Sequence, residues 1–514
     1  LGWVVLGIAL LARWFHSHWL PLVMALHRAL AIRNFIPLMV VGLLAASALL
    51  AAWFAAAEPM DYDAGLYRMG IINYAAEYRA IPGLANLHSR FGFSSALGPL
   101  SAFMGNGIWE NNGFRIVTGF VFSLLLLDVA LRILVPRKRT PGDYLIILGG
   151  AFTMWVMLGD SGRWVSSPSQ DLMALITALV AFVFLVDFVS PQTRQRWLAS
   201  GALLTAAISA SIRPLSWLLA LCILLTLYSA SIWLKPRERI GLVAYLYLLP
   251  SLIAVSVLGA VMLVRDAIIS GWLLFPLTAF PLPVDWRAAS PKADSLGVTW
   301  WGRAPGVSIE QAQAQGWFGP WLDSFISGRE MRFFVVAIAA SVIPLLWLAG
   351  RRAWRRSWAP MALALFPALV VSIAWFVTAP DIRFGWAGLI ALAGIPIAFL
   401  LAEGAYPPWL CRAIFFIFIT LGVASTWRAG QFEQRGSEPQ PYSLNVAGRE
   451  VSVLLGPPNY VYTVRGSLGD GTPVVYPSNG ENCYMVFPLC LLPGSGANIE
   501  KRGSSISEGF RVIP

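Results

Sequence analysis

The chain has 514 residues, of which 57% are hydrophobic and only 12% are charged, and its mean hydropathy is +0.67. Soluble globular proteins average about 25% charged residues, so this composition excludes an ordinary soluble enzyme, and repeated long apolar runs predict an all-α polytopic membrane protein. The net charge of +11 does not indicate nucleic-acid binding, because the basic residues lie in short loops between apolar runs, which is the positive-inside pattern.

Apolar runs along the chain predict about 12 transmembrane helices. They lie at residues 1–15, 35–57, 113–135, 144–158, 172–189, 197–212, 215–234, 240–264, 333–349, 359–378, 384–402 and 410–427. The first run is short for a span, and the chain begins inside it without Met, so we expect the true start to be missing.

Clusters of Arg and Lys in the short loops set the predicted orientation. These clusters lie at residues 137–139, 194–196, 235–239 and 351–356, and we assign all four to the cytoplasmic side. The alternation of spans then places two large loops, at residues 58–112 and 265–331, on the opposite side, together with the turns at 159–170, 211–214 and 380–383. The tail falls on that side too. The sequence therefore predicts a transmembrane domain over residues 1–427 and an extracytoplasmic subdomain over 428–514.

The tail after residue 428 differs in composition from the rest of the chain. It is rich in Gly, Pro and β-forming residues, which predicts a small strand-containing segment. Its two cysteines, Cys483 and Cys490, are expected to form a disulfide if the tail lies in an oxidising compartment. Cys222 and Cys411 lie in apolar runs, where we expect inert packing residues.

The first large loop carries the candidate catalytic acids. Asp61 and Asp63 follow directly after a span and precede an apolar pattern that predicts a helix over residues 66–76. One interpretation is that these acids only cap that helix. The other is that one carboxylate is a general base, or that both bind a divalent metal such as Mg²⁺ or Mn²⁺. Asp63 is the favoured base because Arg68 follows it closely, and basic charge keeps a carboxylate ionised.

A second polar group follows in the same loop. A Pro-Gly turn leads into Asn86, His88 and Arg90, which is typical of a ligand-binding loop. The alternative is that His88 is an ordinary surface residue.

Several arginines lie on the predicted outer face, against the positive-inside trend, and the ones we select as candidate ligands are Arg163, Arg213 and Arg383. They either extend to lipid headgroups or bind an anionic group such as a phosphate, for which the guanidinium fork is suited. Arg265 belongs to the same set. Asp171 begins a span nearby and is interpreted as a possible helix cap.

Common catalytic motifs are absent from the sequence. There is no Walker loop, HExxH, paired CxxC or GxSxG. This excludes P-loop ATPases, zincins and α/β-hydrolases, but it leaves enzymes whose chemistry depends on an acid in an outer loop.

Six distinctive motifs occur along the chain. In order, they are DYDAGLYR at residues 61–68, IPGLANLHSRFGF at 81–93, SSPSQD at 166–171, FPLPVDW at 280–286, PDIRFGW at 380–386 and NCYMVFPLC at 482–490. With them the chain resembles a group of bacterial polytopic membrane proteins whose architecture is similar to that of GT-C glycosyltransferases. That resemblance implies a bacterial inner-membrane enzyme that uses a polyprenyl-phosphate sugar donor. It implies Asp63, or else Asp61, as the catalytic residue and Arg383 as a donor-phosphate ligand. The group has His where Arg68 stands, and a likeness of architecture is an analogy about fold.

Three hypotheses follow. The first is an inverting GT-C-type glycosyltransferase, whose partners are membrane lipids and the lipid-linked donor, with metal dependence open. The second is a transporter or flippase of a lipid-linked or anionic solute that uses the same arginines without the base. The third is a non-catalytic subunit of a membrane complex. All three predict a membrane protein with no nucleic-acid partner, and the first predicts that Asp63 and the arginines share one cavity.

Overall fold

A computed structural model defines the fold for most of the chain. The residues it describes are 35–106, 112–134, 138–159, 162–191, 193, 195–233, 242–277, 279–289, 291–304, 307–328, 334, 342, 354–403, 440–446, 449–455 and 461–513.

Most of the described chain is helical. The α-helices are α1 (Phe35–Ala56), α2 (Met69–Glu77), α3 (Leu97–Met104), α4 (Gly113–Leu134), α5 (Pro141–Gly159), α6 (Arg163–Ser166), α7 (Gln170–Val189), α8 (Arg196–Ile212), α9 (Ser216–Trp233), α10 (Leu242–Ser270), α11 (Pro291–Arg303), α12 (Ile309–Gln315), α13 (Phe318–Ser327), α14 (Trp354–Thr378) and α15 (Ile382–Ala402). A π-helical turn, Ala64–Arg68, leads into α2. Short 3₁₀ turns lie at Leu84–Asn86, Ser89–Gly92 and Ile506–Glu508.

Six helices within the described ranges are long and apolar enough to cross a membrane. They are Gly113–Ile133, Pro141–Leu158, Gln170–Val189, Leu248–Ser270, Trp358–Thr378 and Ile382–Ala402. Three shorter apolar helices accompany them, and these are Ala45–Ala56, Arg196–Ile212 and Ser216–Ile232. The chain is therefore a multi-pass membrane protein. The predicted spans at 1–15 and 410–427 lie outside the described residues, as does nearly all of 333–349, so the number of about 12 stays a prediction.

Helix α7 lies at the centre of the helical bundle. It packs against α5, α8, α9, α14 and α15. Nearly all of its side chains are buried, as expected for a helix that is apolar on every face. Ser169 caps its first turn, since the Ser169 hydroxyl accepts a hydrogen bond from the Leu172 amide at 3.2 Å. The first turn of α7 is consequently fixed within the protein interior.

The tail contains the predicted strands, arranged as three antiparallel pairs. Strands β1 (Gln440–Val446) and β2 (Arg449–Leu455) pair with Gln440 opposite Leu455. Strands β3 (Thr463–Ser467) and β4 (Pro473–Pro477) pair with Thr463 opposite Pro477, and β5 (Ile499–Lys501) and β6 (Phe510–Val512) pair with Ile499 opposite Val512.

The described tail packs against the first large loop. Leu66, Tyr74 and Phe91 of the loop share one apolar cluster with Leu491 and Phe510 of the tail. The Phe510 amide also donates to the Pro82 carbonyl at 2.9 Å. The predicted division of the chain at residue 427 stays a prediction. The shared apolar cluster joins the tail to a loop that is far from it in sequence.

A buried ionic cluster joins α4, α5 and α7 at one end of the bundle, and we call it the distal cluster (Asp128, Arg132, Asp143 and Asp187). Arg132 donates to Asp128 at 2.9 Å and to Asp143 at 2.5 Å. Asp187 accepts from the backbone amide of Gly142 at 2.9 Å. These contacts connect the end of α4 to the start of α5 and to the last turn of α7.

Candidate active site

Asp61 and Asp63 lie in the short connection between α1 and the π-helical turn, and both side chains are buried. The backbone amide of Asp61 donates to the Ser167 hydroxyl at 3.1 Å, which fixes this connection against the segment before α7. Asp63 occupies the position before the turn but makes no side-chain cap hydrogen bond. The capping interpretation is therefore wrong for Asp63, whose carboxylate instead accepts from guanidinium groups.

Arg68 lies between three carboxylates. It pairs with Asp61, with Asp63 at 3.1 Å and with Asp171 at 3.4 Å, and its side chain is only 4% exposed. A buried guanidinium requires such partners, because an unpaired charge in this environment would be strongly destabilising. Arg68 thus connects the first large loop to α7.

Asp171 is the second centre of the ionic network. Its side chain is 1% exposed and pairs with Arg213, which directly follows α8. Ser169 caps α7, so the Asp171 carboxylate remains available for ion pairs, which corrects its interpretation as a cap. Arg383, in the first turn of α15, lies 3.8 Å from Asp171 and 3.4 Å from Asp63.

Two tryptophans hold the turn that presents Arg383. The indole of Trp375 donates to the Asp381 carbonyl at 2.6 Å, and that of Trp321 donates to the Pro380 carbonyl at 2.9 Å. The Asp381 carboxylate accepts from both the backbone amide and the side chain of Arg383. Hydrogen bonds within the protein alone therefore fix the position of the start of α15.

We call the connected acids and arginines the site cluster; its members are Asp61, Asp63, Arg68, Arg90, Asp171, Arg213, Asp381 and Arg383. Arg90 joins it through Asp63, at 3.0 Å. Four acids and four arginines make the cluster formally neutral. Of the predicted residues, the structure brings Asp61, Asp63, Arg90, Arg213 and Arg383 together.

Electrostatics keeps Asp63 ionised. Burial alone would raise the pKa of the Asp63 carboxyl, but the guanidinium groups of Arg68, Arg383 and Arg90 outweigh burial and hold the pKa below its ordinary value. The carboxylate is consequently negative at neutral pH and able to accept a proton or a hydrogen bond.

His88 lies beside this cluster in a neutral form. Burial, together with the nearby charge of Arg90, lowers the pKa of the imidazole to about 4. Its Nδ1 accepts from the Arg90 amide at 3.1 Å, so the proton of the neutral ring lies on Nε2, which is buried without a hydrogen-bond partner. The ring stacks on Tyr67 at 6.4 Å. His88 supports the position of Arg90 and does not ion-pair with the acids.

Three other predicted residues lie elsewhere. Asn86 donates to the carbonyls of Trp286 and Phe510, at 3.0 and 3.2 Å, and so ties the loop to the tail. Arg163 lies over the Trp164 ring at 4.4 Å. Arg265 donates to the Ser94 hydroxyl at 3.0 Å.

Cys483 and Cys490 form a disulfide in the tail. This bond closes a loop that lies against the π-helical turn carrying Arg68, since the Cys483 amide donates to the Gly65 carbonyl. Cys222 is a buried free cysteine, and Cys411 lies outside the described residues.

A cavity adjoins the site cluster. Asp171, Arg213 and Arg383 line one end, and apolar side chains of α7, α9 and α14 line the rest, among them Ala178, Phe182, Leu219 and Val371. From Asp171 to Phe182 the axis of α7 advances about 16 Å, at about 1.5 Å per residue. The cavity is therefore charged at the end near Asp171 and apolar at the end near Phe182.

A divalent metal is a poor fit to the acids of the site. No group of three or more His, Cys, Asp and Glu side chains placed to hold a metal occurs among the described residues. The oxygens of Asp61 and Asp63 already accept from Arg68, Arg90 and Arg383. The carboxylate oxygens of Asp61 and Asp63 thus belong to an ionic network with arginines and are poorly placed to bind a metal.

Comparison with known proteins gives a family and a weak structural likeness. The sequence model of a family described as "Domain of unknown function (DUF8201)" matches residues 3–390. No curated protein matches the chain. Among solved structures, the chain is similar to the crystal structure of ArnT from Cupriavidus metallidurans bound to undecaprenyl phosphate, at 12% identity and a TM-score of 0.40, over 77% of this chain and 72% of that one. A TM-score below 0.5 establishes neither a common fold nor a common activity.

Proposed function

This chain belongs to the family described as a domain of unknown function (DUF8201), and we propose that it is a GT-C-type glycosyltransferase using a polyprenyl-phosphate sugar donor. The observation that carries the proposal is the cavity with Arg213 and Arg383 at one end and apolar side chains beyond. An amphiphile with an anionic head and a long apolar tail matches that lining. In this proposal, the end of the bundle that carries Asp63 faces the extracytoplasmic side of a bacterial inner membrane.

Two guanidinium groups, of Arg213 and Arg383, line the cavity beside the single carboxylate of Asp171. Arg383 also pairs with Asp63 and Asp381, so ion pairing balances its charge until a ligand competes for it. Guanidinium groups bind phosphate oxygens through paired N–H donors. Charge that develops on a departing phosphate would be stabilised at this wall, in a site that excludes most water.

Asp63 is the proposed base because it links the cavity to a more exposed side of the cluster. Its Oδ2 lies 3.4 Å from Arg383, on the side of the cavity. Its Oδ1 accepts from Arg90 at 3.0 Å, and the Arg90 side chain is 31% exposed, more than Arg68, Arg213 or Arg383. An acceptor hydroxyl therefore has its approach to Asp63 from the side of Arg90, while the donor enters from the cavity.

The proposed reaction is a displacement at the anomeric carbon of the donor sugar. The acceptor oxygen forms a bond to that carbon, and the bond from the carbon to the phosphate oxygen breaks, with its electron pair leaving on the lipid phosphate. The hydroxyl proton passes to the Asp63 carboxylate. Attack opposite the leaving group inverts the configuration of the sugar.

Arg383 couples donor binding to the strength of the base. In the structure it is shared among Asp63, Asp171 and Asp381. A donor phosphate bound to Arg383 competes for its N–H groups and weakens the stabilisation of ionised Asp63. Since this stabilisation is what lowers the pKa of Asp63, donor binding raises that pKa and makes Asp63 a better proton acceptor.

The first test is binding of polyprenyl phosphate to the purified full-length chain in lipid nanodiscs. Arg213→Gln and Arg383→Gln each remove a charged hydrogen bond, so we expect each to weaken binding about 10–100-fold. The matched control is Arg287→Gln, an arginine whose described bond is to the Leu282 carbonyl outside the cavity, and it should bind as the parent does. Failure of polyprenyl phosphate to bind the parent chain, or undiminished binding by both cavity variants, would contradict the proposal.

The second test separates the enzyme from the alternatives. Supplied with a polyprenyl-phosphate-linked sugar and membrane extract as the acceptor source, Asp63→Asn should transfer about 10²–10⁴-fold less sugar than the parent while binding polyprenyl phosphate at least as tightly. A transporter or flippase predicts lipid movement that survives Asp63→Asn but not Arg383→Gln. A non-catalytic subunit predicts neither binding nor transfer by the purified chain.

A further inference from the structure

The disulfide-closed loop of the tail lies directly on the turn between Asp63 and Arg68. We call this loop, together with the three residues before it, the clip (residues 480–490). The amides of Cys483 and Tyr484 both donate to the Gly65 carbonyl, each at 2.9 Å. Gly65 is two residues after Asp63 and three before Arg68, so the clip contacts the backbone midway between the proposed base and its main counter-ion.

The Tyr484 ring occupies the space above Gly65. A Cβ atom added at Gly65 would lie 2.6 Å from a ring carbon of Tyr484, closer than real contacts allow, so only glycine fits beneath the ring. Tyr484 itself adopts a left-handed backbone conformation, with φ of +45°, which is uncommon for a bulky residue. Strained backbone of this kind persists only where the surrounding contacts hold it, and here it directs the ring onto the turn.

Further bonds join the clip to the first large loop on both sides of this contact. The Tyr62 hydroxyl donates to the Glu481 carboxylate at 2.6 Å, and the Tyr74 hydroxyl donates to the Pro488 carbonyl. The disulfide between Cys483 and Cys490 closes the segment that contains Tyr484 and Pro488, and Glu481 lies two residues before it. The π-helical turn is therefore attached to the tail before, within and after its own length.

The turn is the kind of backbone that needs such support. A π-helical turn is rarer and less regular than an α-helix and is frequently found at functional sites. The backbone of this turn sets the distance between Asp63 and Arg68. Because catalysis depends on reacting groups being held within about 0.5 Å, a shift of the turn by about 1 Å is enough to lower turnover about 100-fold.

We infer that the clip is a positioning element for the base, and that Tyr484 is its principal positioning residue. The inference deepens the proposed function and rests on it where it concerns turnover. Tyr484 is not among the residues that line the cavity with Arg213 and Arg383. It therefore affects the step that uses Asp63 and does not affect donor binding.

Turnover gives the first readout. We expect Tyr484→Ala to lower the rate of sugar transfer at saturating donor about 10–100-fold, with the affinity for polyprenyl phosphate unchanged. Tyr484→Phe keeps the ring and should restore transfer to within a few-fold of the parent. The matched control is Tyr462→Ala, because Tyr462 belongs to the same tail and is 85% exposed. Unchanged transfer by Tyr484→Ala, or equal loss in Tyr484→Phe, would overturn the inference.

Chemical labelling of Asp63 gives a readout that does not depend on activity. In the folded parent the buried, paired carboxylate should resist a water-soluble carbodiimide with an amine, as quantified by peptide mass spectrometry. Labelling of Asp63 should rise several-fold in Tyr484→Ala and in the parent treated with dithiothreitol, while labelling of Asp143 in the distal cluster stays constant. Constant Asp63 labelling in both would refute the inference even if transfer is observed. A parent chain that transfers no sugar would instead count against the proposed function, with labelling still testing the clip.

Discussion

The two ionic clusters lie at opposite ends of α7 and use their charges differently. Asp171, in the first turn, belongs to the site cluster, and Asp187, about 24 Å along the helix axis, belongs to the distal cluster. Around the distal cluster, backbone groups complete the bonding, as with Gly142 donating to Asp187 and Thr140 donating to Asp143. The site cluster joins its acids through shared arginines and borders a cavity. A buried network bonded to backbone fixes helices, whereas shared arginines beside a cavity are able to exchange partners with a ligand.

The largest effect that separates the two clusters is expected from Arg132→Met. This change leaves Asp128 and Asp143 buried without their cation, which typically costs about 3–5 kcal/mol of the free energy of unfolding. Denaturant unfolding in detergent measures the loss, and binding of polyprenyl phosphate by the remaining folded protein should match the parent.

Arg465→Met in strand β3 is the control for Arg132→Met, since Arg465 is exposed and should change the free energy of unfolding by less than about 0.5 kcal/mol. A stable Arg132→Met variant with weakened lipid binding would reverse the roles that we assign to the clusters.

The next effect concerns pH and arises from His88, which lies beside the site cluster. His88 has a pKa near 4 in the folded chain and about 6.5 when unfolded. The unfolded state therefore binds the proton more readily, so stability is fully present above about pH 6.5 and falls as the pH is lowered towards 4. Thermal unfolding from pH 7.5 to 4 should show this decline, and His88→Gln should flatten it.

The control for the pH series is Arg465→Met, an exposed change that should leave the decline as steep as in the parent. A profile that stays equally steep without His88 would assign the acid sensitivity to another group.

The smallest effect tests how the site end of α7 is held. Ser169→Ala removes the cap from the Leu172 amide and should lower the free energy of unfolding by about 1 kcal/mol. Ser169→Asp should retain the cap, because Asp is an equally good capping residue. If Ser169→Ala instead abolished binding of polyprenyl phosphate, the cap would be orienting Asp171 and not only stabilising the helix.

Sequence reasoning located helices such as α7 and α15 from the length of their apolar runs, since such a run has few alternatives in a membrane. It also selected Asp63, because nearby basic charge keeps a carboxylate ionised, and Arg213 and Arg383, because arginines on the outer face suit an anionic ligand. It did not identify Asp171 as a centre of the cluster, because an acid in the first turn of a helix is usually a cap. The one sequence signal against this interpretation is Ser169, which lies two positions earlier and is itself a good capping residue.

Contacts between distant segments explain what sequence reasoning missed. Asn86 was selected as a ligand-binding residue, yet it bonds the carbonyls of Trp286 and Phe510, which no local pattern reveals. The distal cluster was likewise overlooked, because Arg132 lies next to a basic loop that the orientation rule already explained. The contact of Tyr484 with Gly65 depends on folding across almost the whole chain, so the spacing of the motifs gave no sign of it.

The contact between the clip and the π-helical turn has a consequence for synthesis of the chain. Tyr62 and its partner Glu481 are 419 positions apart. At about 5–20 residues per second, the ribosome delivers the second partner on the order of 20–80 s after the first. The nascent protein therefore carries Tyr62 and the neighbouring acids through that interval without the clip, whose contacts with them form only after residue 481 has been synthesised.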